Sequence, residues 1–214
     1  MATDRATRWA GTMPGHRVEV AAVRQAHAGD DLVRLELGSP LGRQAREDLE
    51  EAELAPGATR SAPATGRRRR EEEPDELRTC FEQDRDRVLH SPAFRRLAGK
   101  TQVFIFPADH QRTRLTHALE VAQVATAIAR ACRLNVALTE AIALGHDCGH
   151  GPGGHASEDA FSVFVPEFDH AVWGADVTAA PLNLCRETLD GIRNHSWSRP
   201  APSTPEGQVV GLAD

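Results

Sequence analysis

Four cysteines, Cys80, Cys132, Cys148 and Cys185, are all the thiols in this chain of 214 residues, and no two form a Cys-x-x-Cys pair. With no secretory leader ahead of them, that spacing excludes a disulfide framework and a cysteine zinc knot, and it fits a reducing cytoplasm. No apolar run reaches the roughly 18 residues needed to span a bilayer. Residues 1–15 also lack the apolar stretch of a signal peptide, so the chain reads as a soluble, cytoplasmic protein without a membrane partner. Excess positive charge is missing too. A formal net charge of -6 gives no general attraction to nucleic acid and leaves any anionic ligand to a local basic cluster. No internal repeat is present. What remains is 40% apolar residues in a chain long enough for one sizeable core.

Order along the chain is uneven. Residues 1–45 read as an N-terminal extension, poorly ordered, with short strands expected at 18–23 and 32–37. Residues 43–54 read as a short acidic helix, and 55–64 as a link rich in Pro, Gly, Ser and Thr. The basic block 67–70 followed by the acidic block 71–73 reads either as a solvated linker or as a basic strip facing an anion or a neighbouring subunit. From Asp75 onward the pattern is helical. Leu77, Phe81, Val88 and Leu89 fall on one face, and Ser91-Pro92 supplies an N-cap and a first-turn proline. Residues 101–106 are β-prone and bounded by Pro107, which suggests a short strand or hairpin arm. The clearest helix covers 113–132, with Leu115, Leu119, Ala122, Ala125, Ile128 and Ala129 near the helical period. Asn135 caps the next, 136 to about 147, with Leu138, Ile142 and Leu144 inward. Further helices are expected near Ala156 and over 184–195, with a proline-rich loop at 199–206.

The chemistry is concentrated in His146-Asp147-Cys148-Gly149-His150-Gly151-Pro152-Gly153-Gly154-His155-Ala156-Ser157-Glu158, with His117 upstream. Burying this many imidazoles and carboxylates without partners costs several kcal/mol, so a core would not select them, and their density argues for a metal-dependent hydrolase. Adjacent helical residues point about 100° apart, so His146 and Asp147 can share one ion only off a helix end or between helices. His117 from the preceding helix adds a third donor, and Asp214 a fourth if it folds back. Mixed nitrogen and oxygen ligation suits Mn, Fe, Co or Zn, with Mg also admissible. Each residue also has a structural reading: a satisfied core histidine for His117, a polar helix end for Asp147, a terminal carboxylate for Asp214.

The run Phe81-Glu82-Gln83-Asp84-Arg85-Asp86-Arg87-Val88-Leu89-His90-Ser91-Pro92-Ala93-Phe94-Arg95-Arg96-Leu97, then Lys100-Thr101-Gln102-Val103-Phe104, resembles the start of bacterial deoxyguanosinetriphosphate triphosphohydrolase-like proteins. Arg112 to His117, Leu138 to Ala143 and His146 to Glu158 are similar to that family's HD-domain signature in order and spacing. The resemblance implies an all-α HD-domain fold, with residues 46–75 as linker and N-terminal family segment and 76–214 as the HD domain, incomplete at its C-terminus. It implies metal-dependent hydrolysis of a deoxynucleoside triphosphate to deoxynucleoside and triphosphate, using a divalent ion such as Mn or Mg. Carried over by motif position, His117, His146, Asp147 and Asp214 are metal ligands, Asp214 through the similarity of 209–214 to the family's later apolar-Ala-Asp segment. His155 and Glu158 are the acid/base pair, their division of labour undecided. His150 and His170 are further active-site histidines, and Arg114 and Arg112 face substrate phosphate. A nucleotide effector and a homo-oligomer are also implied. Gly151 and Gly153 depart from the family's usual Pro and Phe, which leaves guanine preference in doubt and suggests a looser loop. The alternatives are another HD-domain phosphohydrolase or phosphodiesterase, and an inactive truncated regulatory fragment.

Overall fold

The computed structural model describes residues 40–64, 67–104 and 110–214, and from Leu41 onward these belong to a compact unit running to Asp214. It is all-helical. The helices are α1 (Arg43–Glu53), α2 (Ser61–Ala64), α3 (Cys80–Leu89), α4 (Pro92–Arg96), α5 (Arg114–Ala131) and α6 (Val136–Gly145). They continue as α7 (His155–Phe161), α8 (His170–Trp173), α9 (Arg186–Asn194) and α10 (Pro205–Ala213). The strands expected at 18–23 and 32–37 lie outside the described residues. The strand expected at 101–106 is reduced, among the described residues, to a single bridge between Thr101 and Thr113.

Helix α6 is central because, apart from Thr139 and the part-exposed Glu140, its residues are apolar. Leu138, Ala141, Ile142 and Ala143 are fully buried, and α3, α5, α9 and α10 pack around it. A helix apolar over most of its circumference has to be enclosed, and the surrounding helices pack their apolar residues against it. Small residues allow the close approach. A Cβ at Gly191 of α9 would lie 2.3 Å from Ile142 Cδ1, so the helices meet where glycine leaves room. On α5, Ala118, Ala122, Ala125 and Ala129 face the core. Leu119 is a correction: it is 48% exposed, its place on the inner face taken by Ala118 and Val121. Leu77 is likewise outside, because α3 begins only at Cys80, after the Thr79–Glu82 capping box.

Two buried carboxylates hold the frame. Asp84 accepts from Arg68 Nη1 at 2.6 Å, Cys185 N at 2.8 Å and Thr188 Oγ1 at 2.7 Å. Arg68 is therefore buried in the core, which corrects both readings of the basic block for that residue. Glu206 accepts from Thr59 N at 2.9 Å, Thr59 Oγ1 at 2.7 Å and Asn135 N at 3.0 Å, tying the start of α10 to the start of α6. That contact aims the far end of α10, and hence Asp214, at the end of α6. The stretch expected as a loop to residue 206 is correspondingly shorter, with Thr204 capping α10 and Pro205 in its first turn. The link 55–64 also holds one helical turn, α2.

Candidate metal centre and acid/base group

Three helix ends converge. His117 sits one turn into α5, fixed by the Thr113 cap, whose Oγ1 accepts from Thr116 N. His146 and Asp147 lie in the 3-10 turn that continues α6, a tighter winding that lets neighbouring side chains reach the same space off the helix end. Asp214 arrives at the end of α10. His117 Nε2 is 2.8 Å from Asp214 Oδ1 and 3.9 Å from Asp147 Oδ2, while His146 Nε2 is 3.5 Å from each carboxylate. One ligand atom each from His117, His146 and Asp147 falls within 4.8 Å of the others.

The donor set fits a divalent cation. His146 Nδ1 donates to Ala143 O at 2.7 Å, so its lone pair is on Nε2 when the ring is neutral. That Nε2 is fully buried and makes no hydrogen bond. An orphaned buried nitrogen between two carboxylates is costly unless something positive stands among them. In the absence of an ion a proton takes that place. Burial alone would lower the His146 pKa, but Asp147 first and then Asp214 outweigh it and push it up to about 10. Both carboxyls are held well below the usual range despite burial, Asp147 chiefly by His146 and Asp214 chiefly by His117 and His146.

Arg114 lies beneath this group. It is buried and its Nη1 donates to Asp147 Oδ2 at 2.7 Å. Gly154 makes the space: it has φ of 62°, and a Cβ there would stand 2.5 Å from Arg114 Nη2. Arg112 is instead exposed and paired with Glu120.

Beside the first group stands a second. Glu158 Oε1 is 2.6 Å from His170 Nδ1, 3.2 Å from His155 Nδ1 and 3.4 Å from His150 Nδ1. The His150 and His170 rings stack with centroids 3.6 Å apart, and His150 Nε2 lies 3.1 Å from Asp147 Oδ1, linking the two groups. Burial raises the Glu158 carboxyl against the pull of His155. Burial, then His150 and His195, brings His170 down to about 2, and burial with His146 brings His195 to about 4. The His155 side chain is 73% exposed. Gly151 and Gly153 are close-packed rather than loose: a Cβ at Gly151 would lie 2.4 Å from Ser157 Cβ, and Gly153 N donates to Ser157 Oγ at 2.8 Å.

His195 was not singled out from the sequence, yet it is buried with Nε2 3.3 Å from His170 Nε2. The available signal was its position. Like His146, it ends a helix and donates Nδ1–H to the carbonyl three residues back, here Ile192 O at 2.8 Å.

Residues 114–214 match the HD domain, the class to which this arrangement of histidines and aspartates belongs. A deoxyguanosinetriphosphate triphosphohydrolase-like protein of Caldanaerobacter subterraneus is 52% identical over 180 residues, covering 80% of this chain and 52% of that protein. Proteins of the same description from Syntrophus aciditrophicus and Desulfatibacillum aliphaticivorans are 44% and 47% identical, covering 80% and 79% of this chain and 49% and 54% of theirs. The chain belongs to this deoxyguanosinetriphosphate triphosphohydrolase-like family and spans about half the length of the curated relatives it matches. Among the described residues no helix is long and apolar enough to cross a membrane.

Proposed function

We propose that this chain carries the hydrolytic centre of a deoxynucleoside triphosphate triphosphohydrolase, releasing deoxynucleoside and intact triphosphate. The observation that carries the reading is the buried His146 Nε2, without a hydrogen-bond partner, facing Asp147 and Asp214, with His117 alongside and a separate acid/base group a few ångströms away. His117, His146, Asp147 and Asp214 would hold the divalent ion, Mn or Mg among the candidates. Bound there, such an ion supplies Lewis-acid polarisation of a phosphate ester.

The chain's own residues handle the proton. The departing 5'-oxygen needs one, and burial raises the Glu158 carboxyl, making it a weaker acid that holds its proton more tightly than a solvated carboxyl does. His155, exposed and 3.2 Å from Glu158, is placed to pass that proton to a substrate oxygen. His170, stacked on His150 and bonded to His195, fixes the Glu158 carboxyl in place. Arg114 holds Asp147 in orientation, and Arg112, exposed and paired only with the equally exposed Glu120, is the arginine that could exchange that partner for a phosphate. Oligomeric assembly and a nucleotide effector belong to the same family reading.

The test is product analysis on a folded, Mn-loaded sample with each deoxynucleoside triphosphate. Intact triphosphate with free nucleoside supports the reading. Pyrophosphate or monophosphate points to another HD phosphohydrolase, and binding without turnover to a regulatory role.

A further inference from the structure

We propose that His150, His155, Glu158 and His170 form a second cation site, distinct from the His117–His146–Asp147–Asp214 group, suited to a zinc-type divalent ion. One ligand atom from each of the four lies within 4.8 Å of the others. A tetrahedral ion with bonds near 2.1 Å spaces its ligands about 3.4 Å apart. The Glu158 Oε1 distances to His155 and His150, 3.2 and 3.4 Å, already match that edge; the 2.6 Å distance to His170 has to open by less than roughly 1 Å, and the His170 ring, stacked nearly parallel on His150, has to turn so that both in-plane lone pairs meet at one ion.

Hydrogen placement argues the same way. His195 Nδ1 donates to Ile192 O, so the neutral ring has a bare Nε2, and His170 Nε2–H must supply the hydrogen between them. His170 therefore turns a bare Nδ1 toward Glu158. His150 Nε2–H faces Asp147 Oδ1, which leaves its Nδ1 bare as well, and that atom is buried without a hydrogen bond. Two bare nitrogens around one carboxylate oxygen repel unless a positive centre lies among them. A proton on Glu158 satisfies His170 only and leaves His150 Nδ1 orphaned. A divalent ion accepts all the donors at once. Three imidazoles and one carboxylate, four donors in all, favour zinc over the oxygen-preferring Mg or Ca. His155, exposed, can swing in as the last ligand.

Zinc so bound would occupy the acid/base pair, so excess zinc would inhibit; that consequence alone rests on the proposed reaction. The direct test is equilibrium dialysis of Zn2+ against the whole chain, without nucleotide, with the visible spectrum of Co2+ as a geometric probe. The wild type should bind two ions per chain with a tetrahedral cobalt spectrum at one of them. His155→Ala and Glu158→Gln should each weaken one ion by more than roughly 100-fold, beyond the range for loss of a supporting residue, and leave the other. His117→Ala should do the reverse. His155 is exposed, so its replacement leaves folding intact, as circular dichroism would check. One ion in the wild type, or two that persist in both His155→Ala and Glu158→Gln, would overturn the proposal. Because no substrate is present, a failure of the hydrolase reading leaves this result legible.

Discussion

Replacing Arg114 with methionine removes a guanidinium that is 3% exposed and bonded to Asp147 Oδ2 at 2.7 Å, while keeping most of the apolar stem. Breaking a buried pair by deleting one partner costs about 3–5 kcal/mol, because the surviving charge is left uncompensated. Asp147 keeps His146 and His150 nearby, so the low end applies, about 3 kcal/mol in the metal-free protein. With a urea m-value of about 2 kcal/mol/M, the midpoint should fall by about 1.5 M in chelator. Saturating Mn2+ supplies positive charge to the same carboxylate, so the loss should shrink to below about 1 kcal/mol. Urea titrations with and without metal measure both numbers. A shift under about 0.5 M in chelator would refute the claim that Arg114 serves Asp147. A raised KM with unchanged stability would return Arg114 to the phosphate-facing role its motif implies.

Other consequences follow from the same geometry. Glu158→Gln should lower turnover by about 10²–10⁴-fold while leaving the first metal bound, since Glu158 faces imidazoles and not that ion; kinetics with metal analysis would contradict this if both fell together. Gly191→Ala should destabilise by about 1–3 kcal/mol, because a Cβ there meets Ile142 Cδ1 at 2.3 Å; an unchanged melting temperature would show that α6 and α9 can part freely. Acid should unfold the metal-free chain early. His170 and His195 titrate near 2 and 4 when folded but near 6.5 when unfolded, so the unfolded state binds more protons as pH falls below 6.5. Their stabilisation is present above that pH and declines beneath it, by about 2 kcal/mol per histidine at pH 5. A flat stability profile between pH 6.5 and 5 would count against neutral, buried histidines.

The sequence was most legible where local rules and burial agree. Ser91-Pro92 and Asn135 mark helix starts by capping chemistry alone, and both cap as expected. The meeting of His117, His146 and Asp147 was readable because helical geometry forces an adjacent His-Asp pair to share its space off a helix end. Burial of individual faces was harder. Leu119 fits the period of α5 as well as Ala118 does, and only the approach of α6, which favours small residues, decides between them. Arg114 reads as a phosphate fork because nothing local reveals that Gly154, distant in sequence, clears a channel to Asp147. His195 offered only its place at a helix end as a signal, because its partner His170 sits on another helix.

The central claim is that one cation is shared by side chains from α5, the end of α6 and the end of α10. Anomalous diffraction from crystals grown with Mn2+ tests it most directly. The account predicts a peak within bonding distance of His117 Nε2, His146 Nε2 and carboxylate oxygens of Asp147 and Asp214, with His146 Nδ1 still bonded to Ala143 O. A fully loaded crystal with manganese elsewhere, and His146 Nε2 left bare, would contradict it.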